Sequence, residues 1–401
     1  MGNTLLVVAV IVITGLLFGK LVGYIKLPSV TGYLLGGLLV GPSLLNLVPA
    51  SALESFDVVS EMALAFIAFT IGLSFKIDYF KRVGLTPVVI ALLEASMAVL
   101  LVTGGLLAMG MEPAFAIVLG AIAAATAPAA TVMVIKEYKT KGPVTDTLLS
   151  VVAIDDAVAL ILFGFAATVA KMLTAVQGVQ MNLVQSIVQP FWEIVLALIV
   201  GAAVGFVMQF PLKWFKNSGN KLSILIAFVF LASGLSKTFG ISELLACMVA
   251  GAVLTNASNE APAMSVMSDK ITPPLYMMFF VISGAELNLS ILPSIGLIGL
   301  VYILLRIAGK MLGAYLGARW MKSSPEVSRY LGLTLIPQAG VAIGLTTVAE
   351  TLVPMYAAQI KVVVLSATLV YEMIGPVLTK LALTKAGEIT PQVGDVQTQQ
   401  H

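Results

Sequence analysis

Apolar residues run through this chain in blocks of about twenty, separated by short polar stretches. The blocks begin near Thr4, Pro28, Val58, Gly84, Pro113, Asp146, Gln189, Lys221, Gly240, Ile271, Pro293, Val327 and Gln359. At 1.5 Å per residue, about twenty residues cross a hydrocarbon layer of roughly 30 Å, and lipid offers backbone groups no partner outside the segment. Each block therefore predicts a membrane-spanning helix, thirteen in all. A transmembrane β-barrel would need alternating segments of about ten residues, and the chain carries none. The first block lacks a basic leader and a small-residue cleavage site, so it reads as a retained helix rather than a signal peptide. From residue 386 to 401 the chain turns polar and predicts a disordered tail.

Composition agrees with an all-α polytopic membrane protein. Of the 401 residues, 59% are hydrophobic and 10% charged, against about 25% charged in soluble domains; the mean hydropathy is +1.04. A lone Cys247 excludes a disulfide framework, and a lone His401 at the end excludes a buried histidine site. A net charge of +2 gives no reason to expect a nucleic-acid partner. The placement of basic residues says more than their sum. Stretches after odd-numbered blocks, with the tail, carry seventeen Lys and Arg, whereas those after even-numbered blocks carry only Lys171, Lys237 and Lys361. By the positive-inside rule this puts the N-terminus outside and the C-terminus inside.

Against that background the charges at bilayer depth stand out. Block 4 holds Glu94, block 6 the adjacent Asp155 and Asp156, block 11 Arg306 and Lys310, and block 13 Glu372. A carboxylate at mid-membrane costs about 2.5–3.5 kcal/mol on insertion scales, so a neighbouring pair needs a cation, a proton or a basic partner. Blocks 4–6 and 11–13 are offset by seven, so they run in opposite directions, as in an inverted repeat. The middle block of each triplet carries a proline in polar or small surroundings, Pro128 in Ala125-Thr-Ala-Pro-Ala-Ala-Thr131 and Pro337 in Leu335-Ile-Pro-Gln-Ala-Gly340. Neither proline can donate to the carbonyl four residues back. A simple kink satisfies that constraint, and so does a broken helix whose free carbonyls bind a cation. The matching positions favour the crossed pair of broken helices.

Neighbouring helical residues point about 100° apart. Asp156 is accordingly expected as the cation ligand and Asp155 as the partner of a base, with Thr126 completing the oxygen shell. Arg306 and Lys310 share a helix face. Arg306 keeps its proton and is a fixed counter-charge; Lys310 can carry a proton or snorkel towards the interface. Glu94 and Glu372 are accessory candidates, flanking the site or pairing with a base. Glu243 falls near a block end, where an interfacial position is expected. An intramembrane aspartyl protease is disfavoured, because adjacent residues on one helix cannot converge on a shared water; no enzyme activity and no cofactor is expected.

With these residues in view, the chain resembles the monovalent cation/proton antiporters, in the subfamily of bacterial Na+/H+ and K+/H+ exchangers with paired aspartates. The likeness rests on Lys26-Leu-Pro-Ser-Val-Thr-Gly-Tyr-Leu-Leu-Gly-Gly-Leu-Leu-Val-Gly-Pro42, Ala68-Phe-Thr-Ile-Gly-Leu73, Ala153-Ile-Asp-Asp-Ala157, Met278-Phe-Phe-Val-Ile-Ser-Gly-Ala285 and Arg306-Ile-Ala-Gly-Lys310, in that order. It implies dimerisation helices at 1–83 and 221–292, an ion-translocating core at 84–171 and 293–385 that moves in an elevator-like manner, and a connecting helix at 172–220. It also implies a homodimer in the inner membrane of a prokaryotic cell, working in pH homeostasis. Relatives often carry Lys where Arg306 aligns, and some carry an acid where Ala127 stands, so the stoichiometry stays open. Kef-type relatives bear a nucleotide-binding domain, and regulation through one is not expected here. The function expected is exchange of Na+, K+ or Li+ for protons that compete for Asp156 and Asp155. A Na+-coupled symporter or a cation channel on a related fold is the alternative.

Overall fold

The computed structural model describes residues 4–73, 75–77, 84–174, 183–287, 289 and 296–389. Among them every regular element is helical. The helices are α1 (Thr4–Tyr24), α2 (Ser29–Val40), the single turn α3 (Ala50–Leu53), α4 (Asp57–Leu73), α5 (Thr86–Ala108), α6 (Pro113–Ile122), α7 (Pro128–Tyr138) and α8 (Pro143–Thr174). They continue as α9 (Leu183–Trp214), α10 (Ser218–Phe239), α11 (Glu243–Ala257), α12 (Ala261–Glu286), α13 (Gly296–Trp320), α14 (Pro325–Thr334), α15 (Gly340–Leu352) and α16 (Ala357–Lys385). By length and composition, seven stretches of the described residues can cross a membrane. Shorter apolar pieces such as α6 do not reach that length, because two of the expected spans are split into halves. The start expected near Pro293 lies outside the described residues.

Both split spans begin alike. Glu112 accepts a hydrogen bond from the Phe115 amide at 3.1 Å ahead of Pro113. Ser324 accepts one from the Val327 amide at 3.4 Å ahead of Pro325. An acceptor at the cap followed by proline at the first helical position satisfies one free amide and removes another. Each half-helix then runs about three turns and stops, α6 at Ile122 and α14 at Thr334.

The tightest helix pair near the site is α5 against α13. Ala98, Glu94 and Ile90 on α5 face Gly309, Gly313 and Gly317 on α13, so the two helices run antiparallel. A Cβ at Gly313 would sit 2.4 Å from the Glu94 Cα. Small residues four apart allow this close approach, the usual device by which helices pack in lipid.

Two of the boundaries that differ from the sequence reading bring charged residues into the fold. The tenth block, expected from Ile271, begins at Ala261. Asp269 and Lys270 looked like a loop, but Asp269 lies within the helix and pairs with Lys136 of α7 at 3.1 Å. The polar tail, expected from residue 386, opens with ordered residues. Glu388 is buried, and its carboxylate accepts hydrogen bonds from the Val144 amide (2.6 Å), the Thr145 amide (2.8 Å) and the Thr145 hydroxyl (2.7 Å) at the start of α8. Gly142, at φ 155°, makes room: a Cβ there would lie 2.5 Å from the Glu388 carboxyl carbon. Residues 390–401 lie outside the described residues.

The outer faces remain apolar. Leu5, Leu6, Trp214 and Trp320 are strongly exposed, which is the surface a lipid-embedded bundle presents, with tryptophans at helix ends.

Candidate functional site

The two helix breaks meet in the middle of the bundle. After Ile122 the chain makes tight turns, with the Ala124 amide donating to Ala121 and the Ala125 amide to Ile122, and becomes extended at Ala127. Pro128 then opens α7. The second break spans Leu335–Ala339, and Pro337 sits inside it rather than at the start of the next helix. The Ala127 amide donates to the Pro337 carbonyl at 2.9 Å. The Gln338 side chain donates to the Ile122 carbonyl at 2.9 Å, and the Tyr302 hydroxyl donates to Gln338 Oε1 at 3.2 Å.

Half-helices that stop at mid-bundle leave free carbonyls and the negative ends of their dipoles. Arg306 answers both at once. Its Nε donates to Ala123 O at 3.0 Å, Nη2 to Ala125 O at 2.7 Å, and Nη1 to Ile336 O at 2.6 Å. The guanidinium lies over the Tyr371 ring, 4.5 Å from its centroid, a cation–π contact that helps hold a fully buried charge. Arg306, expected as a counter-charge to the aspartates, is thus committed to the carbonyls of both breaks.

Lys310, one turn along, takes the carboxylates. Its Nζ lies 2.6 Å from Glu94 Oε2 and 3.6 Å from Asp155 Oδ1. It donates to Thr126 Oγ1 at 2.8 Å and also to the Ala124 carbonyl. Snorkelling does not describe this residue, which is fully buried. Glu94, left above as flanking or pairing, is the closer of the two carboxylates and comes in on the helix that packs against the glycines of α13.

Asp156 adjoins this cluster but makes no ion pair with either base among the described residues. It is 4% exposed, and its Oδ2 has no hydrogen-bond partner among the described residues. Glu94, Asp155 and Asp156 bring three formal negative charges, whereas Lys310 and Arg306 bring two positive charges. The cluster is one positive charge short of neutrality. An unpartnered carboxylate oxygen at this depth is costly, so a monovalent cation or a proton is what the site lacks. The described residues contain no group of three His, Cys, Asp or Glu side chains placed to hold a metal, so any cation here must take hydroxyl, carbonyl or water oxygens beside a carboxylate.

A cavity of about 810 Å³ leads towards the breaks. Thr126, Ala127, Pro128 and Ala129 line it from one side, with Thr368 and Glu372 of α16. Asp57, Glu61, Glu243 and Glu286 line it towards one end of the bundle. Glu61 pairs with Lys237 and Glu243 accepts from Ser233 at 2.6 Å. At the other end several contacts tie helices together. Glu137 of α7 accepts from the Ser29 amide (3.1 and 2.9 Å) and the Ser29 hydroxyl (2.9 Å). Lys136 pairs with Asp269, and Lys380 donates to the Lys26 carbonyl while lying over the Tyr138 ring.

The sequence reading assigned no role to Gln338, Tyr302, Tyr371 or the glycines of α13. The glycine spacing was a readable signal. The tyrosines and Gln338 carry none until the two breaks are brought together.

Comparison with known proteins agrees with this picture. The sequence profile described as sodium/hydrogen exchanger, transmembrane, matches residues 6–385. The Na(+)/H(+) antiporter NhaS4 of Synechocystis is 25% identical over 371 residues, covering 82% of this chain and 86% of its own. The Na(+)/H(+)-K(+) antiporter GerN of Bacillus cereus is 24% identical over 349 residues, covering 84% and 85%. The solved structure of the sodium proton antiporter MjNhaP1 from Methanocaldococcus jannaschii at pH 8 superposes with a TM-score of 0.73 at 19% identity, over 97% of this chain and 99% of that one. An all-helical, multi-pass chain whose profile match runs nearly end to end belongs to the transmembrane sodium/hydrogen exchanger family.

Proposed function

We propose that this protein exchanges Na+, or K+ or Li+, for protons by alternating access, and that cation and proton compete for Asp156. The observation that carries the proposal is the buried, unpartnered Asp156 oxygen beside a cluster short of one positive charge. If one carboxylate accepts either species but not both, occupancy by one expels the other, and antiport follows without any further device. Asp155 and Glu94 hold Lys310, and Lys310 holds Thr126 and the Ala124 carbonyl of the first break. When a cation leaves, the same lysine limits the repulsion between the three acids.

The cavity supports an open side at Asp57 and Glu286, and the Glu137–Ser29, Lys136–Asp269 and Lys380–Lys26 contacts support a closed side. With the orientation read from the basic residues, the open side faces outward and the closed side the cytoplasm. The closing contacts join α7 and α16, on the expected core, to α2 and α12, on the expected dimerisation helices. An elevator-like step would break them. The working form would be an inner-membrane homodimer contributing to pH homeostasis.

The test is cation-dependent proton flux in proteoliposomes. The wild-type protein should dissipate an imposed pH gradient on addition of Na+ or K+, with the membrane potential clamped; Asp156→Asn should insert normally and abolish that flux. Flux that appears only when the potential is free to change would mark a channel, and near-normal exchange by Asp156→Asn would remove Asp156 from the site.

A further inference from the structure

Glu372 has no part in the cluster around Lys310. It lies on α16 with Leu365 and Thr368, three and four residues apart on one helix face, and all three line the cavity. Glu372 and Thr368 are each 5% exposed. The Thr368 hydroxyl oxygen is buried without a hydrogen-bond partner among the described residues. No lysine or arginine among the described residues pairs with Glu372, in contrast to Glu94, Asp155 and Glu61. Thr126 and the start of α7 line the same cavity.

A carboxylate this deep with no base beside it is offset only by a bound cation or a proton. The neighbouring free hydroxyl adds a second hard oxygen on the same face, and the cavity leaves room for a cation that keeps some of its water. The same cavity is lined by the acids Asp57 and Glu286 and by Thr126 of the first break, which accepts from Lys310.

We propose that Glu372 and Thr368 form a second cation station, at which a partly dehydrated monovalent cation pauses between the open cavity and Asp156. This rests on the exchange reading above. The step is binding only: the cation exchanges waters for one carboxylate and one hydroxyl oxygen, and a proton held by Glu372 is released to the cavity.

The experiment measures Na+-dependent thermal stabilisation of the purified full chain in detergent, with choline as the control ion, beside exchange in proteoliposomes. The stabilisation should persist in Asp156→Asn and vanish in the double variant Asp156→Asn, Glu372→Gln. In the single variant Glu372→Gln the apparent KM for Na+ should rise roughly tenfold, with the effect falling on KM rather than kcat, and Glu372→Asp should recover most of it. Thr368→Val should raise KM by a smaller factor in the same direction. Stabilisation that survives in the double variant, or a Glu372→Gln protein with wild-type KM, overturns the station. Loss of exchange in the wild-type protein overturns the exchange reading instead, and the thermal measurement still decides whether Glu372 binds a cation.

Discussion

Replacing Arg306 should damage the fold before it damages ion binding. In Arg306→Ala the carbonyls of Ala123, Ala125 and Ile336 lose donors now at 3.0, 2.7 and 2.6 Å. Each buried carbonyl left unpaired costs about 1–3 kcal/mol, so the three together cost roughly 3–9 kcal/mol, with the lower end applying if water fills the vacated space. The cation–π contact with Tyr371 is lost as well. Arg306→Lys keeps the charge but not the fork. An ammonium can satisfy one break or the other, so one or two of the three carbonyls stay unpaired, on the order of 1–6 kcal/mol and less than in the alanine variant. Thermal unfolding followed by fluorescence-detected size-exclusion gives the order: wild type above Arg306→Lys, and Arg306→Lys well above Arg306→Ala, with the alanine variant poorly monodisperse. An Arg306→Ala protein melting with the wild type would refute the argument that this guanidinium joins the two breaks. So would a lysine variant no better than the alanine one.

Two further outcomes test the surroundings. Gly313→Ala places a Cβ 2.4 Å from both the Glu94 Cα and the Leu93 carbonyl oxygen, so α5 and α13 must part by roughly 1 Å to restore van der Waals contact. That stretches the 2.6 Å Lys310–Glu94 pair, and exchange should fall sharply. Gly104→Ala, where a Cβ meets nothing within 4 Å, should leave exchange intact and gain about 0.5–1 kcal/mol of helix stability; equal effects of the two substitutions would refute the packing account. Glu137→Gln removes one of the two oxygens that Ser29 now serves. In a Cys247→Ser background carrying Ala129→Cys in the cavity wall, labelling by an impermeant thiol reagent from the cytoplasmic side should increase. Unchanged labelling would show that the Glu137–Ser29 contact does not hold that side closed.

Much of the site was legible because charge and proline at bilayer depth are rare. Asp155, Asp156, Arg306, Lys310, Pro128 and Pro337 could be picked out from residue type and position alone, and the structure gathers Asp155, the two basic residues and the two breaks into one cluster. The pairing inside the cluster was not legible. Arg306 and Lys310 share a helix face one turn apart, and only their depth relative to the two breaks gives Arg306 carbonyls of both breaks and gives Lys310 the carboxylates with one carbonyl. Glu94 stood between flanking the site and pairing with a base because nothing in its own helix announces a partner; the glycines that bring it to Lys310 are on α13. Asp269 misled the boundary of α12, since a charged pair at a helix–helix contact reads like a loop when only one strand of sequence is considered. Glu388 was lost in a polar tail for the same reason: its partners lie 243 and 244 positions earlier.

That last contact ties the order of synthesis to the ion site. The helix bearing Asp155 and Asp156 receives this side-chain cap on its leading amides only once residue 388 has been made. The final helix and the aspartate helix are therefore closed into a clasp, and the core is finished only when its last structured residue arrives. A fusion or linker placed directly after Lys385 would pull on the clasp and be felt along the aspartate helix, whereas one placed beyond Ile389 would leave it fastened.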